Sequence, residues 1–266
     1  MRHDSSSIEL GRETPALDAA ERFSSLTVGK LDRTLKRAID VVIAGAILLL
    51  TAPITVILAW AIKIESAGPA FYRARRVGLN GRELRMLKFR KMYDGAAGPA
   101  LTSPDDERFT RLGTFLARTK LDELPQLWNV LTGEMSLVGP RPEDPAFVEL
   151  NQEAFEPILA VRPGVTGLSQ LAFARESDVL DAENRMRHYV RQILPQKIGI
   201  DQVYAGRRTV IMDLKILWWT AVAVVFGREV AVHRDTGRLN LRAPREPREP
   251  RSGDGLELSP SRSVGA

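Results

Sequence analysis

Two adjacent carboxylates, Asp122 and Glu123, stand in the stretch Lys120 to Pro142, KLDELPQLWNVLTGEMSLVGPRP, ahead of an apolar helix candidate, a Gly-Pro turn and Arg141. Neighbouring residues do not share a helix face. Two such acids can therefore do different jobs at a helix start, where side-chain directions diverge and backbone donors are free. The sequence predicts such a start, with Asp122 as N-cap, Glu123 at N1 and Pro125 at N3, where a missing amide costs no intrahelical bond. Leu124, Leu127, Trp128 and Leu131 then recur at helical spacing and predict a buried face. A purely structural reading fits the same residues: Asp122 caps and Glu123 complements the positive helix end.

Basic residues surround the acids. Arg108, Arg111, Arg118 and Lys120 lie close in sequence; some must neutralise the pair, and any left over could hold phosphate oxygens through arginine's planar fork. Upstream, LKFRKM ends a predicted strand carrying Lys88 and Arg90, which are either solvated, turned to lipid headgroups or set against a phosphate. Arg141 is held between Pro140 and Pro142 with little conformational freedom. A prepositioned arginine suits polyanion binding. A second turn, Arg162-Pro163-Gly164, leads into VTGLSQL.

The whole chain narrows the chemistry. Its 266 residues can bury a sizeable core, and the absence of cysteine excludes disulfides and thiolate metal sites. His3, His188 and His233 are scattered without metal-helix spacing, which speaks against a zinc enzyme. A net charge of +5 points to an anionic partner. Nucleic acid is disfavoured because the aromatics are not interleaved with the basic patch as base stacking requires.

The elements that must position these residues follow in order. Residues 1–29 read as a disordered arm without a signal-peptide core. Residues 30–63 carry a basic lead-in, KLDRTLKRAID, and then Val41 to Ile62 without a charge, which is membrane length. Pro53, behind Thr51, predicts a break near the middle, with the Thr51 hydroxyl serving freed carbonyls. Basic residues flank both ends: Lys30, Arg33, Lys36 and Arg37 before, Lys63, Arg73, Arg75 and Arg76 after. This favours a re-entrant helix-break-helix over a kinked span, with a buried soluble hairpin third. Asp40 is expected to pair with Arg37 or Lys36, or to stand as an interfacial charge. Gly68 to Met92 predicts a β-hairpin turning at Asn80-Gly81. A helix through Phe109, Leu112, Phe115 and Leu116 delivers the chain to the acids. Further helices are predicted over Glu176 to Gln192 and from Ile198; Lys215 to Gly227, with Trp218 and Trp219, is interfacial or core. From Arg228 the Arg-, Pro- and Glu-rich chain reads as a disordered tail. The fold class is α+β, mainly helical, with the catalytic region in residues 64–227.

With KRAID and its proline-broken apolar segment, GPAFYRARRVGLNGRELRMLKFRKM, the Lys120 to Pro142 stretch, VRPGVTGLSQL and DLKIL assembled, the chain resembles the bacterial sugar transferase family. These are monotopic polyprenyl-phosphate phosphosugar transferases that begin exopolysaccharide, capsule, O-antigen or related glycan assembly. The resemblance, closest to the small form, implies transfer of a sugar 1-phosphate from a UDP-sugar to undecaprenyl phosphate with release of UMP. It implies Asp122 as nucleophile, Glu123 as ligand of Mg2+, and Lys88 and Arg141 at the active site; Arg90 and Arg118 are further candidate phosphate contacts by charge and position in the sequence alone. The family's Asn-Gly-Arg motif after VTG-x-x-Q is missing, and Arg175 is its nearest counterpart. The implied setting is the cytoplasmic leaflet of the bacterial inner membrane, with the catalytic domain facing the cytoplasm and a homodimer allowed. The competing reading is a non-catalytic membrane-bound scaffold for polysaccharide enzymes.

Overall fold

The computed structural model describes residues 30–98, 101–102, 106–174 and 185–242. The arm over residues 1–29, Arg175 and the tail from residue 243 lie outside the described residues. Helix α1 (Lys30–Glu65) is continuous over 36 residues with Pro53 inside it. The expected break is absent from the helical backbone. Proline removes one donor, and the Thr51 hydroxyl donates to the Ile47 carbonyl at 2.7 Å, a back-bond that bends a helix without ending it.

Both ends of α1 pack on the same folded unit. Near its start Ala44 is buried with Val130, Leu137 and Val138; near its end Leu58 and Ile62 are buried with Ala70, Phe89 and Leu116. Between them Leu49, Leu50, Ile54, Val56 and Ile57 are exposed. The basic lead-in is fixed by buried charge, and Asp40 pairs with neither Lys36 nor Arg37. Lys36 Nζ reaches Asp213 Oδ2 at 2.6 Å and donates to the Val138 carbonyl at 3.0 Å. Asp40 accepts from Ser136 Oγ at 2.8 Å and Leu137 N at 3.1 Å. Arg37 donates to the Val130 and Leu131 carbonyls at 2.6 and 2.9 Å, serving the orphan acceptors at a helix end.

Strands β1 (Phe71–Val77) and β2 (Glu83–Phe89) form the expected antiparallel hairpin, in register from Phe71 opposite Phe89 to Val77 opposite Glu83. Arg82 N donates to the Leu79 carbonyl across Asn80 and Gly81, whose φ values are 55° and 74°. This is the turn geometry that Asn-Gly favours. Helix α2 (Arg111–Thr119) starts where the Thr110 hydroxyl accepts from Gly113 N at 2.9 Å and stops at Lys120, φ 60°.

A 3-10 turn (Leu121–Glu123) then precedes α3 (Gln126–Thr132), with Pro125 at the N-cap. Asp122 is therefore not the N-cap. Leu121 and Leu124 pack into the cluster of Leu58, Ile62, Phe89 and Leu116, and that packing accompanies the tight lead-in. Of the face expected to be buried, Leu127 is buried in the main core and Leu124 and Leu131 pack against it, while Trp128 is exposed and Gln126, Asn129 and Val130 are buried as well. Asn129 draws the buried face to its side. Its amide accepts from Leu87 N at 2.9 Å and donates to the Arg85 carbonyl at 3.1 Å, docking α3 side-on against β2.

Strands β3 (Ser136–Val138) and β4 (Gly164–Thr166) pair in parallel. They bring the two proline turns back to back: Gly139 N donates to the Thr166 carbonyl at 2.9 Å and Gly164 N to the Pro140 carbonyl at 2.8 Å. A Cβ on Gly164 would stand 2.1 Å from Gly139 N, so glycine is required here.

Helices α4 (Pro145–Glu149), α5 (Gln152–Leu159), α6 (Leu168–Ala172), α7 (Arg185–His188), a π turn (Tyr189–Ile193) and α8 (Leu194–Arg207) complete the domain. Helix α9 (Val210–Phe226) buries Ile216 and Asp213 but exposes Trp218, Val224, Val225 and Phe226. The tail expected to be disordered from Arg228 instead opens with a hairpin, β5 (Val230–Val232) and β6 (Leu239–Leu241). Composition pointed to disorder, yet Val230 is buried in the main core with Val232 and Leu239 against it. Three apolar side chains separate this segment from the polar chain that follows.

Candidate active site

The hairpin, the 3-10 turn and the proline-bounded turn after β3 meet at Glu123. Lys88 Nζ donates to Glu123 Oε1 at 2.9 Å, and an Arg141 terminal nitrogen donates to the same oxygen at 3.1 Å. Two cations on one carboxylate oxygen make a concentrated positive site. Burial acts to raise the Glu123 carboxyl, but Lys88 and Arg141, helped by Lys120, hold it far below the usual range. Lys88 is shifted down, first by its burial, with the like charges of Arg141 and Lys91 acting the same way against Glu123 and Asp122.

Asp122 is 2% exposed. Its Oδ2 lies 3.5 Å from Lys91 Nζ, so the neighbouring acids take different counter-ions, one loose lysine for Asp122 and a tight lysine–arginine pair for Glu123.

The remaining sequence candidates fall elsewhere. Lys88 and Arg90 are two apart and would share a face of a continued strand. β2 ends at Phe89, however, and Arg90 turns to the α1–β1 junction, donating to the Ala67 carbonyl and to the Ser66 carbonyl and hydroxyl at 2.8 and 3.0 Å. Arg118 is exposed in the last turn of α2 and makes no hydrogen bond or ion pair among the described residues, a location that suits the negative helix end. Arg162 donates to the Gly133 carbonyl at 3.0 Å and so closes the end of α3.

Sequence reasoning missed Lys91. Strand alternation puts it opposite Lys88, and only the chain reversal marked by the Met92–Phe109 bridge brings it to Asp122. It also missed Asn129, whose hold on Leu87 fixes the residue next to Lys88.

As a chemical unit the site offers a buried carboxylate beside a second one whose outer oxygen is bracketed by cations. Lys88, Lys91 and Arg141 suit the oxygens of a transferring phosphoryl group.

Comparison with known proteins gives this geometry a family. The chain is 37% identical over 196 residues to the UDP-glucose:undecaprenyl-phosphate glucose-1-phosphate transferase of Escherichia coli (strain K12), covering 71% of this chain and 40% of that protein. It is 36% identical over 203 residues to the exopolysaccharide production protein PSS of Rhizobium leguminosarum bv. phaseoli, covering 73% of this chain and 96% of that protein. A third relative, 34% identical over 172 residues, is the UDP-N-acetylgalactosamine-undecaprenyl-phosphate N-acetylgalactosaminephosphotransferase of Aeromonas hydrophila, with 63% of this chain and 41% of that protein covered. The chain thus spans about two fifths of the Escherichia coli protein (40%) and nearly all of the Rhizobium one (96%). The family described as bacterial sugar transferase matches residues 31–227, from the basic lead-in of α1 to the end of α9, and the chain belongs to that family.

Proposed function

We propose that the protein transfers a sugar 1-phosphate from a UDP-sugar to undecaprenyl phosphate, releasing UMP, as the first step of an exopolysaccharide or related glycan. The observation that carries this reading is the split of counter-ions at the acid pair, which leaves Asp122 loosely held beside a site of concentrated positive charge. Aspartate carboxylates serve as nucleophiles that form covalent intermediates in phosphoryl transfer. In the first half-reaction an oxygen of Asp122 bonds to the sugar-bearing phosphorus, the bond from that phosphorus to the bridging oxygen breaks, and UMP leaves with the electron pair. In the second, an oxygen of the lipid phosphate bonds to the same phosphorus and the Asp122–phosphorus bond breaks, returning the carboxylate. Lys88 and Arg141 face the oxygens on which charge is carried.

Mg2+ fits this residue set. It is commonly held by one or two carboxylates together with substrate phosphates; both cations engage Oε1 of Glu123, leaving Oε2 clear of them. Among the described residues no group of three or more His, Cys, Asp or Glu side chains could cage a metal, so Glu123 would hold the ion with substrate oxygens and water. Bound there, it would supply charge neutralisation at the pyrophosphate.

The lipid substrate requires a membrane, and the way α1 is held on the domain suits a placement in the cytoplasmic leaflet without a full span. Among the described residues it is the one helix long and apolar enough to cross a membrane. Ala44 and Leu58 are both buried against the catalytic domain, and the fourteen helical steps from one to the other extend about 21 Å. About 30 Å of hydrocarbon separates the two faces of a bilayer, so a helix held against one domain at both points lies within one leaflet, its exposed apolar side toward the lipid. The exposed Trp218 and Phe226 of α9 suit the interface. In this placement the catalytic domain faces the cytoplasm at the inner membrane.

The test is release of UMP from a panel of UDP-sugars by full-length protein in nanodiscs with Mg2+ and undecaprenyl phosphate. Asp122→Asn should lower turnover by about 10³-fold or more with an unchanged melting temperature. Turnover by that variant at the wild-type rate would sink the assignment.

A further inference from the structure

Lys91 is the cation that the two acids do not share. Its ammonium stands 3.5 Å from Asp122 Oδ2, while Lys88 and Arg141 both sit on Glu123. It is also built into place. The Lys91 carbonyl accepts from Thr110 N at 3.1 Å, and α2 approaches so closely that a Cβ on Gly113 would lie 1.8 Å from that carbonyl oxygen. The ammonium lies 5.3 Å from the centroid of the Phe109 ring, a separation at which a cation is attracted to an aromatic face. The backbone is thus clamped, and the charged end lies over an aromatic ring and meets the buried carboxylate. The contact is an ion pair longer than a strong charge-assisted hydrogen bond, so the ammonium can take a new acceptor without leaving the site.

We propose that Lys91 is a further catalytic residue that pairs first with the Asp122 carboxylate and then with the phosphoryl oxygens of the adduct; this rests on the reading of Asp122 as nucleophile. Before attack the Asp122 carboxylate and the sugar-bearing phosphoryl group each carry one negative charge. After attack the charge that Asp122 gave up leaves with UMP, and the adduct is an acyl phosphate ester of the sugar that keeps the phosphoryl group's own negative charge on its non-bridging oxygens. One negative charge thus stands at Asp122 before attack and one stands about two bonds from its bonded oxygen afterwards. An ammonium beside Oδ2 faces a negative charge in both states. A lysine suits this task because its charge is compact and its three donors rotate on a flexible stem. The guanidinium of Arg141 and the ammonium of Lys88 hold Glu123 instead.

The experiment measures adduct formation apart from lipid transfer. Full-length protein in nanodiscs without undecaprenyl phosphate is mixed with the UDP-sugar giving fastest UMP release in the panel, labelled in the sugar, and protein-bound label is followed in a single turnover. Lys91→Met should slow labelling by about 10- to 100-fold and lower kcat by a similar factor, while KM for the UDP-sugar moves less than about threefold. Lys91→Arg should recover most of the labelling rate, which a merely structural role for the stem would not require of the charge. Should Lys91→Met melt early, Lys91→Gln against Lys91→Arg carries the comparison, and equal labelling rates in those two would overturn the proposal. Wild-type labelling by Lys91→Met, with no label on Asp122→Asn, would exclude Lys91 and leave the nucleophile standing. Undiminished labelling and turnover by Asp122→Asn would instead remove the nucleophile itself.

Discussion

The segment from Lys120 to Pro142 is gripped by charge at two places, and the two grips differ in kind. At the end of α3 and along β3, the lead-in of α1 is matched group for group: Lys36 to Asp213 and the Val138 carbonyl, Asp40 to Ser136 and Leu137 N, Arg37 to two helix-end carbonyls. The second oxygen of Asp213 accepts from the Tyr204 hydroxyl at 2.6 Å. At the start of α3, two cations converge on one oxygen of Glu123 and a third approaches Asp122 loosely. A saturated network fixes one geometry. An excess of positive charge around two acids awaits an anion. Burial and charge are common to both regions, and the distribution of partners separates anchor from active site.

The strongest way to break that comparison is to remove a cation from the unsaturated cluster. Arg141→Met should lower kcat/KM for the UDP-sugar by about 10²- to 10³-fold, because it withdraws a donor from the phosphoryl site while Lys88 continues to hold Glu123. The melting temperature should stay close to wild type, since the Arg141 side chain is 30% exposed and leaves no buried carboxylate without a cation. A large stability loss with little kinetic effect would make this cluster an anchor as well.

The reciprocal change is Asp213→Ala. It strips both Lys36 and the buried Tyr204 hydroxyl of a partner, and breaking a buried pair from one side costs about 3 kcal/mol. Denaturant midpoints in detergent should report that loss. Molecules that fold should turn over within about threefold of wild type, as the Glu123 site does not touch Asp213. A greater kinetic loss would mean that the seat of α1 on the domain governs access of the lipid to Asp122.

The same contrast explains what could be read in the sequence. The hairpin and its turn were legible because Asn80-Gly81 is a local signal, and the acid pair stood out because it sits in a dense run of motif residues. Arg90 resembled Lys88 in sequence, yet the strand ends between them and sends it to Ser66 and Ala67. Lys91 and Asn129 depend on contacts across 31 and 42 positions of chain respectively, which no periodicity encodes. Asp40 misled for the same reason: its partners come from β3, not from the neighbouring turn of its own helix. The failure at Trp128 is tertiary too: Leu124, Leu127 and Leu131 pack as their spacing predicts, but docking Asn129 on β2 turns the buried face to that side and leaves Trp128 exposed.

A third buried cluster offers the smallest effect and the sharpest sign. Ser169 Oγ donates to Asp201 Oδ2 at 2.9 Å, while Asp201 Oδ1 is buried without a partner. Burial pushes the Asp201 carboxyl up to about 7, against the Ser169 hydrogen bond and the charge of Lys197, with Glu143 adding to the rise. Between about pH 4 and pH 7 the folded chain therefore keeps a proton that the unfolded chain has lost, so stability falls as pH rises through this window and is level above it. Glu143 is buried too, but Lys197 Nζ at 3.0 Å holds it below its usual range; its slope has the opposite sign and is confined to the acid end of the window. Asp201→Asn keeps an acceptor for Ser169 and carries no titrating proton. Relative to wild type it should gain about 2 kcal/mol between pH 5 and pH 7, read from urea midpoints in detergent at each pH. A wild-type slope that survives in Asp201→Asn would assign the titration to another group. Burial also raises the Asp213 carboxyl, against Lys36 and the Tyr204 hydroxyl, so a smaller slope of the same sign that remains in Asp201→Asn belongs to the seat of the α1 lead-in.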